Sequence, residues 1–465
     1  MPLEITYLNE RIELFDGMYG GDRQSEHAAV SRLYNRRIGP IRSLHLERPD
    51  LTDFSMYTGS CTHSPVHLLL PDFTVRPVTT DAMLIPGGGK GIGAGPPLFG
   101  ALGELAERLL SVLHFAAAVD DLESATYADL CRDGRRALGP DELHLFAPEQ
   151  YTQPGFGYVP FRETSPLRWI QGTDLVTGDA VWVPAQLALL YYKRGPHEPP
   201  IGYPTSGGLA FHTNRDRAIL HGICEYIERD AINVRWYSRL APPRVLVDVS
   251  ALARSTWGLD HARFMAPGLD PLCVYLNTLD VPIPVFTAIT IDRTRQRYSF
   301  VGAGGAWADR DRALVQTVFE LAQTRAVLNS CASGTDQIAA DSAPQQMRQF
   351  LDGALYFGHA ANLPRLEWYL SGGGTISWDA IKGPTSFDRS WLTANGLRPI
   401  VIDLDGACWP GIHVIRVLVP QLTAACVAAH PYLGHPRYYD TPCRVGARQL
   451  PLRFDELNTD PIPFP

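Results

Sequence analysis

Residues 102–110 read LGELAERLL and residues 222–231 read GICEYIERDA. The two stretches share Glu-x-x-Glu-Arg, at Glu104, Glu107 and Arg108 and again at Glu225, Glu228 and Arg229. A third stretch, FELAQTRA at 319–326, offers Glu320 with Gln323. A spacing of three places each pair of glutamates on one helical face, about 5–6 Å apart at Cβ. Carboxylates that close repel unless cations lie between them. Mg2+ takes oxygen ligands in near-octahedral geometry, commonly one or two carboxylates together with phosphate oxygens. Three helices aiming such groups at one place form the pattern of a carboxylate-held metal cluster that grips a nucleotide. The plainer reading is a pair of exposed i,i+4 contacts, Glu104 with Arg108 and Glu225 with Arg229, each worth about 0.3–0.5 kcal/mol. Glycines ahead of both helices weigh against it, because they let backbone N–H groups approach phosphate at a positive helix end.

The rest of the chain bounds that reading. At 465 residues it exceeds the usual single-domain size. Hydrophobic content of 45% with 19% charged residues describes an ordinary folded protein. The apolar run LLSVLHFAAAV at 109–119 carries a histidine and is shorter than the roughly 20 residues of a spanning helix. The opening MPLEITYLNERIEL has acidic residues where a signal peptide is basic, which predicts cytoplasmic residence. Eight cysteines are scattered without a Cys-x-x-Cys, so neither a disulfide framework nor a structural zinc is expected. A net charge of -8 argues against nucleic acid and anionic membrane as partners. Only Lys90, Lys193 and Lys382 are lysines. One of them inside PGGGKGIG is therefore not casual surface charge, although Gly91 stands where the common phosphate loop needs Ser or Thr to hold Mg2+.

The fold class expected is α+β. Residues 1–80 read as a small N-terminal α+β portion and 81–465 as the main domain. An amphipathic helix is predicted over about 98–118, a second from near Asp216, and a third over 309–330 with Asp309 as N-cap. WIQGTDLVTGDAVWVPA (169–185) predicts two strands about a Thr177-Gly178-Asp179 turn. RVLVDV (244–249), CVYLNTL (273–279), VPIPVFTAITI (281–291), YSFVGAG (298–304), PIVIDLD (399–405) and IHVIRVLVP (412–420) read as strands, and SGGGT (371–375) and KGPTSFD (382–388) as loops. Glycines, then a helix with Glu-x-x-Glu-Arg, occur twice, which predicts two pseudo-equivalent halves around one cleft. His212 in GLAFHT reads from residue type alone as a core histidine, a positioning group or an acid/base.

GKGIGAGPPLFGALGELAERL, SGGLAFHTNRDRAILHGICEYIERDA and QTVFELAQTR closely resemble, in order, the nucleotide-binding segments of the YcaO family. The resemblance covers roughly 85–465. It implies a YcaO-type fold with two pseudo-equivalent halves around an ATP/Mg2+ cleft. Carried over residue by residue, it implies Mg2+ at Glu104, Glu107, Glu225, Glu228 and Glu320, and ATP contacts from Ser206, Arg229, Gln316 and Gln323. Arg108 would orient glutamates or phosphate, and Lys90 would neutralise phosphate. Members often carry Asn where this chain has Thr213, and an acid where it has Arg217; Asn214 and Asp216 are adjacent substitutes.

The sequence ends LNTDPIPFP, and Pro461, Pro463 and Pro465 resemble the Pro-x-Pro-x-Pro terminus of azoline-forming members. Polyproline II geometry is set before binding, so such a tail delivers its carboxylate into a cleft at little ordering cost. The resemblance implies ATP-dependent cyclodehydration of Cys, with Ser or Thr as further substrates, in a ribosomal precursor peptide. Pro465 is the candidate for proton transfer or positioning, and His212 the second. It also implies a separate E1-like or leader-peptide-binding partner, and a homodimer by family habit. The alternatives are a stand-alone YcaO forming a macroamidine or thioamide, and a non-catalytic ATP- or peptide-binding scaffold.

Overall fold

A computed structural model of the chain describes residues 4–7, 10–13, 33–34, 40–47, 56–63, 87–91, 95–118, 122–249, 272–293, 295, 298–331, 338–404 and 411–465. Much of the expected N-terminal α+β portion, including HLLLPDFTVRPV, lies outside the described residues. The strands are β1 (Glu4–Tyr7), β2 (Glu10–Glu13), β3 (Ile41–Glu47), β4 (Tyr57–His63), β5 (Gly87–Gly91), β6 (Glu123–Ala125), β7 (Leu167–Asp174), β8 (Ala180–Pro184), β9 (Leu209–His212), β10 (Arg244–Leu246), β11 (Cys273–Leu276), β12 (Val285–Ile291), β13 (Phe300–Ala306), β14 (Thr375–Ser377), β15 (Ile400–Asp403) and β16 (His413–Leu418). The helices that position the site are α1 (Gly95–Ala118), α2 (Arg215–Tyr237) and α3 (Arg310–Cys331). Further on come α4 (Phe350–Gly358) and α5 (Arg437–Arg444).

Three larger sheets carry these helices. β3-β4-β5 is antiparallel and lies against α1, joining residues from both sides of position 80. The order β6-β7-β15-β16-β9, with β8 beside β7, packs under α2. The order β13-β12-β11-β10-β14 packs against α3 on one side and α2 on the other. Every residue of β12 and β13 is buried, as a strand covered on both faces requires. The hairpin over 167–184 turns at Gly178, whose φ of 83° only glycine adopts without strain.

GGGKG is strand β5 and not a phosphate loop, and SGG precedes strand β9, so neither glycine run caps a helix. The reason is close approach. Alternate residues Gly87, Gly89 and Gly91 face α1, and a Cβ on Gly89 would stand 1.8 Å from the carbonyl oxygen of Pro97. β13 (FVGAGGA) uses the same device on both faces. A Cβ on Gly305 would meet Thr317 of α3 at 2.3 Å, and one on Gly304 would meet Ile232 of α2 at 2.5 Å.

Two caps start the long helices: the Asn214 side chain accepts from Arg217 N at 3.0 Å, and the Asp309 side chain from Arg312 N at 2.8 Å. The far half of α2 is fixed by a buried ion cluster. Asp230 takes two bonds from Arg437 of α5, at 2.7 and 2.6 Å, and Arg437 also reaches Asp280 at 2.7 Å. RVLVDV is strand only over Arg244–Leu246, and SGGGT runs into β14.

Gly89→Ala is expected to cost about 3 kcal/mol, because the methyl meets backbone that cannot rotate away. Gly178→Ala, strained in φ but facing open space, should cost only about 1 kcal/mol. Urea denaturation of both checks this; equal costs would show that α1 does not press on β5 as described.

Candidate nucleotide and metal site

The alternation that turns Gly87, Gly89 and Gly91 toward α1 turns Gly88 and Lys90 toward α3. A Cβ on Gly88 would sit 2.4 Å from Gln323 Nε2, and the Lys90 ammonium pairs with the Glu320 carboxylate. Gly88 N–H donates to Glu104 Oε2 at 2.6 Å, and Arg108 donates to Glu104 Oε1 at 2.5 Å. Glu107 Oε1 accepts from Phe211 N at 2.9 Å, tying α1 to β9. Glu225 Oε2 accepts from Gly208 N at 2.9 Å, and Gly208 holds a φ of 80° to present that N–H. Glu228 lies against Gly304 of β13, its Oε1 3.0 Å from where a Cβ would be. Helices α1, α2 and α3 thus meet around β5, β9 and β13.

The electrostatics follow from this crowding. Burial, then the charges of Glu225 and Glu104, pushes the Glu107 carboxyl up to about 8. Burial likewise raises Glu225 to about 7, against the pull of Arg229. Glu228 is raised by burial while Arg229 and Lys90 pull it down. Burial lowers Lys90 to about 8, with Glu104, Glu228 and Glu225 opposing. Among the described residues, no three His, Cys, Asp or Glu side chains form a ready-made metal cage. The donor set nonetheless fits Mg2+: it is all oxygen, and burial raises the Glu107, Glu225 and Glu228 carboxyls, a shift that a nearby cation would oppose. It would supply part of a coordination sphere that phosphate oxygens complete.

The two Glu-x-x-Glu-Arg copies are wired differently. Arg108 makes the i,i+4 bond to Glu104, whereas Arg229 lies 3.5 Å from Glu228 and donates to the main-chain oxygen of Pro465 at 2.8 Å. Gln316, Glu320 and Gln323 follow one another along one face of α3. Ser206 sits in the turn before β9, its carbonyl accepting from Leu209 N at 2.9 Å. Thr213 and His212 lie ahead of the N-cap of α2, and the run from Asn214 to Glu225 is about 16 Å of helix. His212 Nδ1 accepts from Asn214 N at 2.9 Å, and burial with the nearby charge of Arg217 lowers the ring to about 4. It is therefore a neutral imidazole with one nitrogen engaged in the turn. A cavity of about 490 Å3 lined by Asp309, Arg310, Lys382 and Phe387 opens at the start of α3, apart from the glutamates.

Sequence reasoning missed Arg416. On β16 and 1% exposed, it donates to the carbonyls of Ala188 (2.8 Å), Thr205 (2.7 Å) and Gly207 (2.5 Å). It shapes the 205–208 turn that aims Gly208 N–H at Glu225, and its charge faces Glu225 and Glu107. Its signal was an arginine inside the apolar run HVIRVL, a charge that must find partners in the core.

A family model described as YcaO cyclodehydratase, ATP- and Mg2+-binding, matches residues 88–423. The chain belongs to the YcaO family. It is 28% identical over 329 residues, covering 69% of the chain and 73% of the relative, to an uncharacterized protein in the tfuA 3′ region of Rhizobium leguminosarum bv. trifolii. Three solved structures share the fold. A heterocyclase in complex with substrate and cofactor has a TM-score of 0.70 at 20% identity, with 95% of this chain covered. This YcaO chain spans 57% of that heterocyclase's length. YcaO from Methanopyrus kandleri, bound with AMPPCP and Mg2+, gives 0.53 at 18% identity over 82% of this chain and 86% of that one. The E. coli microcin synthetase McbBCD complex gives 0.57 at 13% identity over 91% and 96%. ATP and Mg2+ are the cofactors of the family, and among the described residues no helix of this YcaO protein is long and apolar enough to cross a membrane.

Burial pushes the Glu107 and Glu225 carboxyls up to about 8 and about 7, against 4.5 for an unperturbed glutamate. From pH 4.5 up to those values the folded state holds more protons than the unfolded one, so their contribution to stability is fully present below about pH 4.5 and is lost as pH rises toward 8. Mg2+ with ATP displaces those protons, so thermal melts should show a larger Mg2+–ATP stabilisation at pH 8.5 than at pH 6. Glu107→Gln should flatten the difference. A stabilisation independent of pH in the wild type would remove these carboxyls from cation binding.

Proposed function

We propose that this YcaO protein is an ATP-dependent cyclodehydratase that converts Cys, and in the same geometry Ser or Thr, of a ribosomal precursor peptide to thiazoline or oxazoline. The observation that carries this reading is the placement of the Pro461–Pro465 segment. It enters the site beside the second glutamate pair and sets the Pro465 main-chain oxygen on Arg229, next to Glu228.

In the reaction, the side-chain sulfur or oxygen gives up its proton to a base or to solvent and bonds to the preceding carbonyl carbon. The carbonyl oxygen takes the γ-phosphoryl group of ATP, releasing ADP. The amide nitrogen loses its proton as phosphate departs, leaving the C=N bond of the ring. Glu104, Glu107, Glu225, Glu228 and Glu320 would hold Mg2+, which when bound offsets phosphate charge. Ser206, Gln316, Gln323 and Arg229 would contact ATP, with Thr213 at the edge of that surface and Lys90 neutralising phosphate. Lys90 is suited to this because its ammonium pairs with Glu320 and the charges of Glu104, Glu228 and Glu225 oppose the lowering by burial. Arg108 steadies Glu104. The Pro465 end of the chain positions the amide or moves its proton. His212, whose Nδ1 accepts from Asn214 N, is the second candidate for that step.

The heterocyclase solved with substrate and the McbBCD assembly support a peptide substrate and a partner that presents it. That partner is expected to be E1-like or leader-binding, and the protein to dimerise. A second reading, a stand-alone YcaO forming a macroamidine or thioamide, draws on the relative encoded in a tfuA 3′ region.

Mass spectrometry of a candidate precursor with protein, ATP and Mg2+ tests the proposal, with and without the product of a neighbouring gene. The expected result is ATP-dependent loss of one water per Cys, Ser or Thr consumed, abolished by Glu228→Gln. Deleting Pro461–Pro465 should abolish ring formation with ATP binding retained. Exchange of oxygen for sulfur, or consumption of an amino group, would replace the azoline by a thioamide or a macroamidine. ATP binding without turnover would point to a scaffold.

A further inference from the structure

α2 carries more than the second glutamate pair: its other contacts form a rail for the end of the chain. Tyr237 O accepts from Asn458 N at 2.7 Å, Trp236 Nε1 donates to Asp460 O at 2.9 Å, and Arg229 donates to Pro465 O at 2.8 Å. The segment therefore runs against the direction of the helix, from its last turn back to the glutamates. Arg365 holds Asp460 from the other side at 2.7 Å. Prolines cannot supply N–H groups, so the register depends on the residues between them.

Those residues are Ile462 and Phe464, 6% and 1% exposed. The Phe464 ring lies 5.4 Å from that of Tyr369, 6.4 Å from Trp236 and 6.5 Å from Phe300. The box has a floor made by absence of a side chain: a Cβ on Gly302 of β13 would touch Phe464 Cε1 at 2.8 Å. One residue pair earlier the device repeats, since a Cβ on Gly353 of α4 would stand 1.8 Å from the Ile462 carbonyl oxygen. A loosely attached tail has no use for two glycines cut to its outline.

We propose that Phe464 is the positioning residue of the Pro-x-Pro-x-Pro segment. Locked in the box of Trp236, Phe300, Tyr369 and Gly302, it fixes how far the chain reaches and so places Pro465 against Arg229. It touches no reacting atom. Its effect on ring formation rests on the function proposed above; the anchoring itself does not.

The chain Met1–Pro465 is compared as wild type, Phe464→Ala, Gly302→Ala and the double variant Gly302→Ala/Phe464→Leu. Hydrogen exchange of the Ile462 and Phe464 amides reads the anchoring, and steady-state kinetics on the precursor read its use. Phe464→Ala should lose most of the amide protection and drop kcat by about tenfold or more, in line with the cost of small misplacements, with the KM for ATP unchanged. Gly302→Ala should do the same more mildly, and the smaller ring-site residue in the double variant should restore both readouts. Protection and kcat unchanged in Phe464→Ala would overturn the proposal. So would a double variant no better than Gly302→Ala, or an ATP KM that rises in step with the loss of kcat. Lost protection with a product that is not an azoline would leave the anchor standing and reject the proposed reaction.

Discussion

The repulsion between carboxylates pressed together by three converging helices is the constraint on which the rest of the structure depends. Glu104, Glu107, Glu225 and Glu228 come from two helices, and Glu320 joins them through Lys90. In water such a set would separate. Here the helices cannot part, because each is pressed onto a strand that has been stripped of side chains to receive it. Burial raises the Glu107, Glu225 and Glu228 carboxyls, and main-chain donors turn toward the set. Gly88 N–H serves Glu104, Phe211 N–H serves Glu107, and Gly208 N–H serves Glu225. Carboxyls packed this closely and raised by burial make a site that favours positive charge.

Glycine-rich strands make that crowding possible. β5 and β13 let α1, α2 and α3 approach more closely than any side chain would allow, and β13 does so on both faces. Lys90 profits from the same geometry: on a strand otherwise made of glycine, its ammonium is the one charge β5 contributes, delivered between α3 and the glutamates of α1 and α2. Arg416 plays the complementary part from below. Its guanidinium is satisfied by three carbonyls, so its charge is left for Glu225 and Glu107 to feel.

Much of this was legible in the sequence because it is periodic. The helix predicted over 98–118 is α1, Gly95–Ala118, and that over 309–330 is α3, Arg310–Cys331, with Asp309 capping it as read. The spacing of three that flagged the glutamates is the spacing that puts them on one face. GGGKG misled because glycine has poor strand propensity, and only a tertiary effect, a helix lying on its Cα atoms, makes it a strand. The equivalence of the two motifs also failed at the arginines. Arg108 obeys the local i,i+4 rule, while Arg229 is taken by a partner 236 residues away, which no local pattern announces.

That distant partner explains why residues 461–465 lie beside the second glutamate pair and in the core at once. Phe464 and Ile462 are as buried as the interior residues of α2, so the segment adds to stability in the way any buried apolar side chain does, by about 2–3 kcal/mol for a phenylalanine. Most of the ordering cost is met before the last residue, by Trp236, Tyr237 and Arg365, and the prolines remove freedom that would otherwise have to be frozen. Pro465, only partly buried, is then held by Arg229 alone among the contacts described. Arg229 touches both Pro465 and Glu228, so the segment and the second glutamate pair are coupled through a single guanidinium.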